Sequence, residues 1–256
     1  MFSSSCRRSS SVSGGINALN SVPREAAFYR GLPQVEGKYS GKIEARKYKN
    51  KKTPKSKFSL PNKYLLVPFQ KDRDSQILDN SNWIKSMSQL FTVLVDALEL
   101  SARDDLHLVF REHPSAKTKY SALHKLAAKH PRVCFDQQSD LTEIITNAEA
   151  VVTINSTVGL EALLLDTKVI TLGEAFYNIT PLVLRAASTL DLATQINSVS
   201  RFVLDQNLLQ QFVAYLEHQY VVPGDWKKPE YLHFQSIQQR FLSYLLHLQQ
   251  LSKVRA

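Results

Sequence analysis

In "VTINSTVGLEALLLDTKVITLG", residues 152–173, Asn155, Ser156 and Thr157 stand between a strand-like apolar run and a helix-like one. Their oxygens and backbone N–H groups then gather at a helix N-terminus, where unsatisfied amides and the helix dipole favour an anion. Gly159 lets another group approach closely. Glu161, read as lying in the first helical turn, offers a carboxylate to hydroxyls such as those of a ribose. The same residues also fit a capping box, with Ser156 or Thr157 as cap and Glu161 as first-turn acid. A cap alone does not explain so many small polar residues. A phosphate with a sugar attached, most simply a nucleotide, does.

Two further stretches carry reactive side chains. In "LVFREHPSAK", His113 directly follows an apolar run, and Pro114 both stops the run and biases His113 towards an extended backbone. A histidine there can donate to an anionic oxygen or act as acid or base near neutral pH. Arg111 precedes it by two residues and shares its face if the strand persists. In "VPFQKDRDSQIL", Gln70, Asp72, Asp74 and Ser75 occupy a loop after another apolar run. Turn chemistry and a helix cap account equally well for that composition. Asp72-Arg73-Asp74 also spells D-x-D, a short and common pattern that in some sugar transferases holds a divalent metal. Neither G-x-x-x-x-G-K-[ST] nor a G-x-G-x-x-G after a strand occurs, which sets aside the P-loop and the dinucleotide fingerprint.

The elements that must position these groups alternate. "KYLLVPF", "LHLVF", "RVCF", "AVVTI" and "KVITLG" read as strands. Between them, "SNWIKSMSQLFTVLVDALELSA" places Trp83, Met87, Leu90, Phe91, Leu94 and Leu98 at helical spacing. "KYSALHKLAAKH", "SDLTEIITNA" and "TVGLEALLLD" also read as helices, the second capped by Ser139 or Asp140. Such alternation implies βαβ units and a Rossmann-like parallel α/β sheet. In that architecture ligands bind outside the carboxyl ends of the strands, where all three polar stretches fall. The expected organisation is a leader at 1–15, a joining and basic segment at 16–61, a nucleotide-sugar-binding domain at 62–190 and C-terminal helices at 191–256 packing on that domain.

Composition limits the alternatives. Two cysteines, Cys6 and Cys134, give no disulfide framework, and a reducing cytoplasm is the default compartment. The seven histidines do not cluster at zinc spacing, so no metal site and no cofactor is assigned. No apolar run approaches the roughly 20 residues that span a bilayer. The net charge of +9 is concentrated in "GKIEARKYKNKKTPKSKF", residues 41–58. Such a block is either a solvated linker or a patch for anionic lipid headgroups. No nucleic-acid fold signature accompanies it, and no nucleic-acid partner is expected.

"VPFQKDRDSQI", "REHP" and "NSTVGLEALLLDTKVITLGEAFY", in this order and spacing, resemble the bacterial capsule polysaccharide biosynthesis/export family, which includes β-Kdo transferases of the capsule linker. "INALNSVPREAAFY", residues 16–29, resembles the segment that joins the two lobes in that family, so the likeness covers roughly residues 16–180. The resemblance implies the C-terminal, donor-binding lobe of a glycosyltransferase-B-like fold, with an N-terminal lobe lacking. It also implies a CMP-Kdo donor, a lipid-linked glycan acceptor and transfer with retention. Carried over, Asp74 matches the catalytic carboxylate, and His113 the group supporting the departing CMP phosphate. Ser156 and Thr157 match donor phosphate and nucleotide contacts, Glu161 a ribose contact, and Gln70 lines the pocket beside Asp74. Arg111, Asn155 and Gly159 complete the candidate nucleotide-sugar site. The implied location is cytoplasmic, peripheral on the inner face of the inner membrane, with other capsule assembly proteins as partners. Two alternatives stay open: a non-enzymatic capsule export or assembly factor, and another nucleotide-sugar enzyme such as a 2-epimerase.

Overall fold

The computed structural model describes residues 22–32, 60–71, 75–116, 118–220 and 231–254. The leader at 1–15, the basic segment at 41–58 and the Asp72-Arg73-Asp74 triplet lie outside the described residues. The chain divides into two units, and residues 23–30 join 60–209 in the unit that carries the sheet.

In this unit the described residues build a six-stranded sheet in the order β3-β2-β1-β4-β5-β6. The strands are β1 (Tyr64–Pro68), β2 (His107–Arg111), β3 (Val133–Phe135), β4 (Ala150–Thr153), β5 (Lys168–Thr171) and β6 (Leu184–Arg185), and every pairing is parallel. This is the Rossmann-like α/β fold that the alternation of elements implies. Every residue of β1 and of β4 is buried, as expected for strands covered on both faces.

The helices are α1 (Ala26–Arg30), α2 (Ser75–Asn80), α3 (Met87–Leu100), α4 (Ser121–Ala127), α5 (Leu141–Thr146), α6 (Thr157–Leu164) and α7 (Thr189–Ser198). Alternate strand residues point to opposite faces. On one face Leu65, Val67, Leu108, Phe110, Val152 and Ile170 join Leu90, Leu94 and Leu98 of α3 and Leu192 and Ile196 of α7 in one core. On the other, the Tyr64 hydroxyl donates to the Ile144 carbonyl of α5 at 2.8 Å, and the Thr167 hydroxyl to Ile145 at 3.1 Å. Burying a Leu or Ile side chain contributes about 1.5–3 kcal/mol, so the packing of α3 and α7 on this face of the sheet supplies much of the folding free energy.

Boundaries follow capping chemistry. The long apolar stripe becomes a helix only at Met87, because the Ser86 hydroxyl accepts from Gln89 N–H at 3.1 Å while Gln89 Oε1 accepts from Lys85 N–H at 2.9 Å. Trp83 thus stands before α3 rather than on it. Asp140 caps α5, accepting from Thr142 and Glu143. After α6, Asp166 has φ 59°, the left-handed conformation usual just past a helix end. Strand β6, two residues long, has no counterpart in the strand-like runs of the sequence.

The segment resembling the interlobe joint contains α1. Here Tyr29 is fully buried with its hydroxyl donating to the Pro23 carbonyl, Arg24 pairs with Glu174, and Arg30 pairs with Asp205 at 2.8 Å. The sheet-bearing unit runs to Leu209, past the 190 expected from sequence. The region read as a helical tail holds α7, α8 (Gln206–Tyr215) with a π-helical turn at Leu216–Tyr220, and α9 (Tyr231–Val254). Among the described residues no helix is long and apolar enough to cross a membrane.

Burial pushes the Tyr64 phenol from 10.0 up to about 12, with the charges of Asp136 and Glu143 adding to the shift. Folding favours the neutral phenol, so its contribution is intact below pH 10 and lost as pH rises from 10 towards 12. Tyr64→Phe should cost about 1 kcal/mol at neutral pH and flatten that alkaline loss. Urea unfolding curves recorded across the alkaline range read both effects.

Candidate functional site

With this strand order the connections run outward in opposite directions from β1 and β4, opening a crevice at their carboxyl ends. Gln70 lies two residues past β1 and Asn155 two past β4. Gln70 Nε2 donates to Asn155 Oδ1 at 3.0 Å, and the Asn155 backbone N–H donates to Gln70 Oε1 at 3.3 Å. Asn155 Nδ2 also donates to the Asn80 carbonyl at 3.3 Å. Both side chains are buried. These amides therefore form the floor of the crevice, and much of their bonding capacity is spent on holding it together.

Above the floor, α6 begins. Ser156 is its N-cap, with backbone in the extended region and the hydroxyl accepting from Val158 N–H at 3.2 Å. The Ser156 N–H donates to Thr153 Oγ1 at 3.2 Å, tying the cap back to β4. Thr157 is the first helical residue, so the positive end of the α6 dipole opens at the crevice. Glu161 is the fifth residue of α6, not a first-turn acid, and Gly159 occupies the position that a capping box gives to Glu or Gln. The cap is real and the box is not.

Gly159 has a specific neighbour. A Cβ there would lie 2.2 Å from the Tyr177 hydroxyl oxygen and 2.7 Å from its ring carbon. The Tyr177 hydroxyl donates to the Ser156 carbonyl, which also accepts from Gly159 N–H at 3.0 Å. Tyr177 is fully buried, and burial first, then the nearby Glu161 charge, holds its phenol protonated. The close approach that Gly159 permits in this structure is that of Tyr177.

One strand away, Arg111 ends β2 in register with Pro68 of β1. Its guanidinium donates to Asp136 Oδ2 at 3.2 Å and to the Ser139 carbonyl at 2.8 Å, tying the end of β2 to the loop after β3. His113 sits in the turn that follows, closed by Ala116 N–H donating to the His113 carbonyl at 2.9 Å. Its Nδ1 accepts from Ser115 N–H at 3.1 Å. A ring nitrogen that accepts a backbone N–H carries no proton, so the neutral ring holds its hydrogen on Nε2. That tautomer suits a donor to an anionic oxygen.

The structure therefore brings Gln70, Asn155, Ser156 and Thr157 to one crevice, with Glu161 one turn inside α6. Arg111 and His113 stand at the carboxyl end of the next strand. Asp74 lies outside the described residues. Among the described residues no three His, Cys, Asp or Glu side chains gather as a metal site would require. Asn80, Thr153 and Tyr177, which brace these residues, carry no motif in the sequence that marks them. A glycine near the start of a helix was the available signal for Tyr177, since it implies a bulky neighbour.

Residues 15–224 match the family model described as capsule polysaccharide biosynthesis protein. The chain belongs to the capsule polysaccharide biosynthesis family. Protein FixF of Sinorhizobium fredii (strain NBRC 101917 / NGR234) is 39% identical over 216 residues, covering 84% of this chain and 52% of FixF. The capsule polysaccharide export protein KpsS of Escherichia coli is 24% identical over 223 residues, covering 65% of this chain and 57% of KpsS. The chain thus spans about half the length of these curated relatives. Among solved structures, KpsC of Thermosulfurimonas dismutans, a beta Kdo 2,7 transferase, is 22% identical. It aligns with a TM-score of 0.42 over 60% of this chain and 46% of KpsC.

For this capsule-family chain the packing of Gly159 makes a direct prediction. Gly159→Ala should destabilise the fold by about 1–3 kcal/mol through overpacking. The penalty should shrink in a Tyr177→Leu background, where the clashing ring is gone. A double-mutant cycle by chemical denaturation reads this, and an unchanged penalty would place the strain elsewhere.

Proposed function

We propose that this chain is the donor-binding half of a sugar transferase that builds the capsule linker, with CMP-Kdo as donor and a lipid-linked glycan as acceptor. The observation that carries the reading is the Ser156-capped N-terminus of α6 opening at the β1–β4 crevice of a capsule-family chain. A nucleoside monophosphate leaving group needs its developing charge neutralised, and the positive end of the α6 dipole with a fixed imidazole donor supplies that without a metal. In this reading Ser156 and Thr157 hold the phosphate, Glu161 takes the ribose hydroxyls, and His113 donates from Nε2 to the departing phosphate. The Gln70–Asn155 pair and Arg111 shape the pocket wall, and Gly159 with Tyr177 fixes the cap.

Retention follows from two displacements. The Asp74 carboxylate attacks the anomeric carbon as its bond to the CMP oxygen breaks, giving a glycosyl ester. An acceptor hydroxyl then attacks the same carbon, loses its proton and frees the carboxylate. The basic segment at 41–58 would draw the protein to anionic headgroups on the inner face of the inner membrane, where such an acceptor resides.

The likeness to KpsS, described as an export protein, favours a second reading in which the same fold serves capsule export or assembly without catalysis. Calorimetry separates the two. The transferase reading expects CMP to bind with or without EDTA and more tightly than UDP. Glu161→Ala should weaken CMP by about 1–3 kcal/mol, the cost of a lost bond to a polar group. Asp74→Ala should leave CMP-Kdo binding nearly intact while abolishing transfer in any assembly that supplies an acceptor lobe. Metal-dependent binding that prefers UDP would overturn the assignment and revive Asp72 and Asp74 as a metal pair.

A further inference from the structure

The carboxyl ends of β5 and β6 border a second cleft of about 290 Å³, outside the β1–β4 crevice. Its walls include Asn82 and Trp83 from the loop before α3, Gly173 and Glu174 after β5, Arg185 of β6 and Asp191 of α7. The walls are fixed. The Trp83 indole N–H donates to the Leu172 carbonyl at 2.7 Å, setting the ring plane. Gly173 is packed so closely that a Cβ would lie 2.7 Å from Ile154 and 2.9 Å from the Asn80 carbonyl. Next to it, Glu174 N–H donates to that same carbonyl at 2.7 Å. The Glu174 carboxylate is held between Arg185, at 2.6 Å, and Arg24 of the segment before α1. Asp191 Oδ2 accepts from Ala187 N–H at 2.9 Å.

The charges balance, with Glu174 and Asp191 against Arg24 and Arg185, so nothing selects an ion of either sign. The groups nonetheless remain reachable, the Arg185 side chain being 51% exposed and that of Glu174 34%. An oriented indole beside a planar carboxylate, a guanidinium and an amide suits one ligand class. A pyranose packs its C–H face on an aromatic ring and gives its hydroxyls to planar, bidentate partners. Strands lie about 4.8 Å apart, so a cleft at β5 and β6 begins about one sugar ring from the α6 N-terminus beside β4. We infer that this cleft is a glycan subsite that takes one pyranose ring on Trp83, with Asn82, Glu174 and Arg185 binding its hydroxyls. The inference rests on the transferase reading only for what the bound sugar is for.

The sequence contains two tryptophans, Trp83 and Trp226, so Trp226→Phe leaves Trp83 as the sole fluorophore of its kind in the full chain. Free Kdo, glucose, galactose and N-acetylglucosamine serve as probes at millimolar concentration. At least one should change Trp83 emission saturably. Asn82→Ala, at an exposed position, and Glu174→Gln should each weaken that sugar about tenfold, while CMP affinity by calorimetry stays within about twofold. No saturable response to any of the four sugars would overturn the inference, as would sugar binding that both variants leave unchanged. Loss of the nucleotide reading shows separately, as absent CMP binding beside an intact sugar response.

Discussion

The exchange of hydrogen bonds between Gln70 and Asn155 is the constraint around which the site is arranged. A parallel sheet whose connections diverge from β1 and β4 opens a gap at their ends, and polar backbone buried there without partners would cost about 1–3 kcal/mol per group. Gln70 Oε1 accepts from the Asn155 N–H and Gln70 Nε2 donates to Asn155 Oδ1, so two residues 85 apart close the gap as a pair. Asn80 joins them through its carbonyl, which also accepts from Glu174. One carbonyl therefore links the crevice floor to the second cleft. Beyond the last inter-strand bonds, Phe69 N–H to the Arg111 carbonyl and Leu172 N–H to the Thr153 carbonyl, the loops after β1, β4 and β5 are tied by shared side-chain and carbonyl contacts.

The start of α6 depends on that floor. With Asn155 fixed, Ser156 is placed to cap, Thr153 holds its amide, and Tyr177 fills the space that Gly159 leaves. The result is a helix terminus whose position is set from three sides before any ligand arrives. Preorganisation of this kind is what an electrostatic binding site needs, because donors already in place cost no reorganisation when charge appears. The Nδ1 bond of His113 to Ser115 N–H has the same logic, fixing a tautomer through the local turn.

Much of this was legible in the sequence. The strands β1 to β5 and helices α3 to α6 follow from apolar periodicity, because each must bury a face, and hydroxyl or carboxylate chemistry at helix starts narrows the caps to Ser139 or Asp140 and to Ser156 or Thr157, of which the structure selects Asp140 and Ser156. The misplaced features have physical reasons. Trp83 continues the apolar stripe of α3 but lies outside it because the Ser86–Gln89 cap fixes the start four residues later, at Met87. Glu161 stands five residues after the Ser156 cap, past the first turn, and only the position at which the helix starts decides that. Strand β6 is two residues long and carries no periodicity to detect. The pairings of Gln70 with Asn155 and of Glu174 with Arg24 span 85 and 150 residues. The sheet order brings the first pair together and the docking of the segment before α1 the second, and local spacing has no access to either.

The proposed function puts a nucleotide phosphate at the α6 N-terminus in the β1–β4 crevice, against particular backbone N–H groups. Amide hydrogen exchange of the chain with and without CMP is the decisive test. CMP should slow exchange across residues 155–159 and in the turn at 113–116, and leave the amides of α7 unchanged. Slowed exchange confined to α7 and the loop after β5, with 155–159 unaltered, would contradict it.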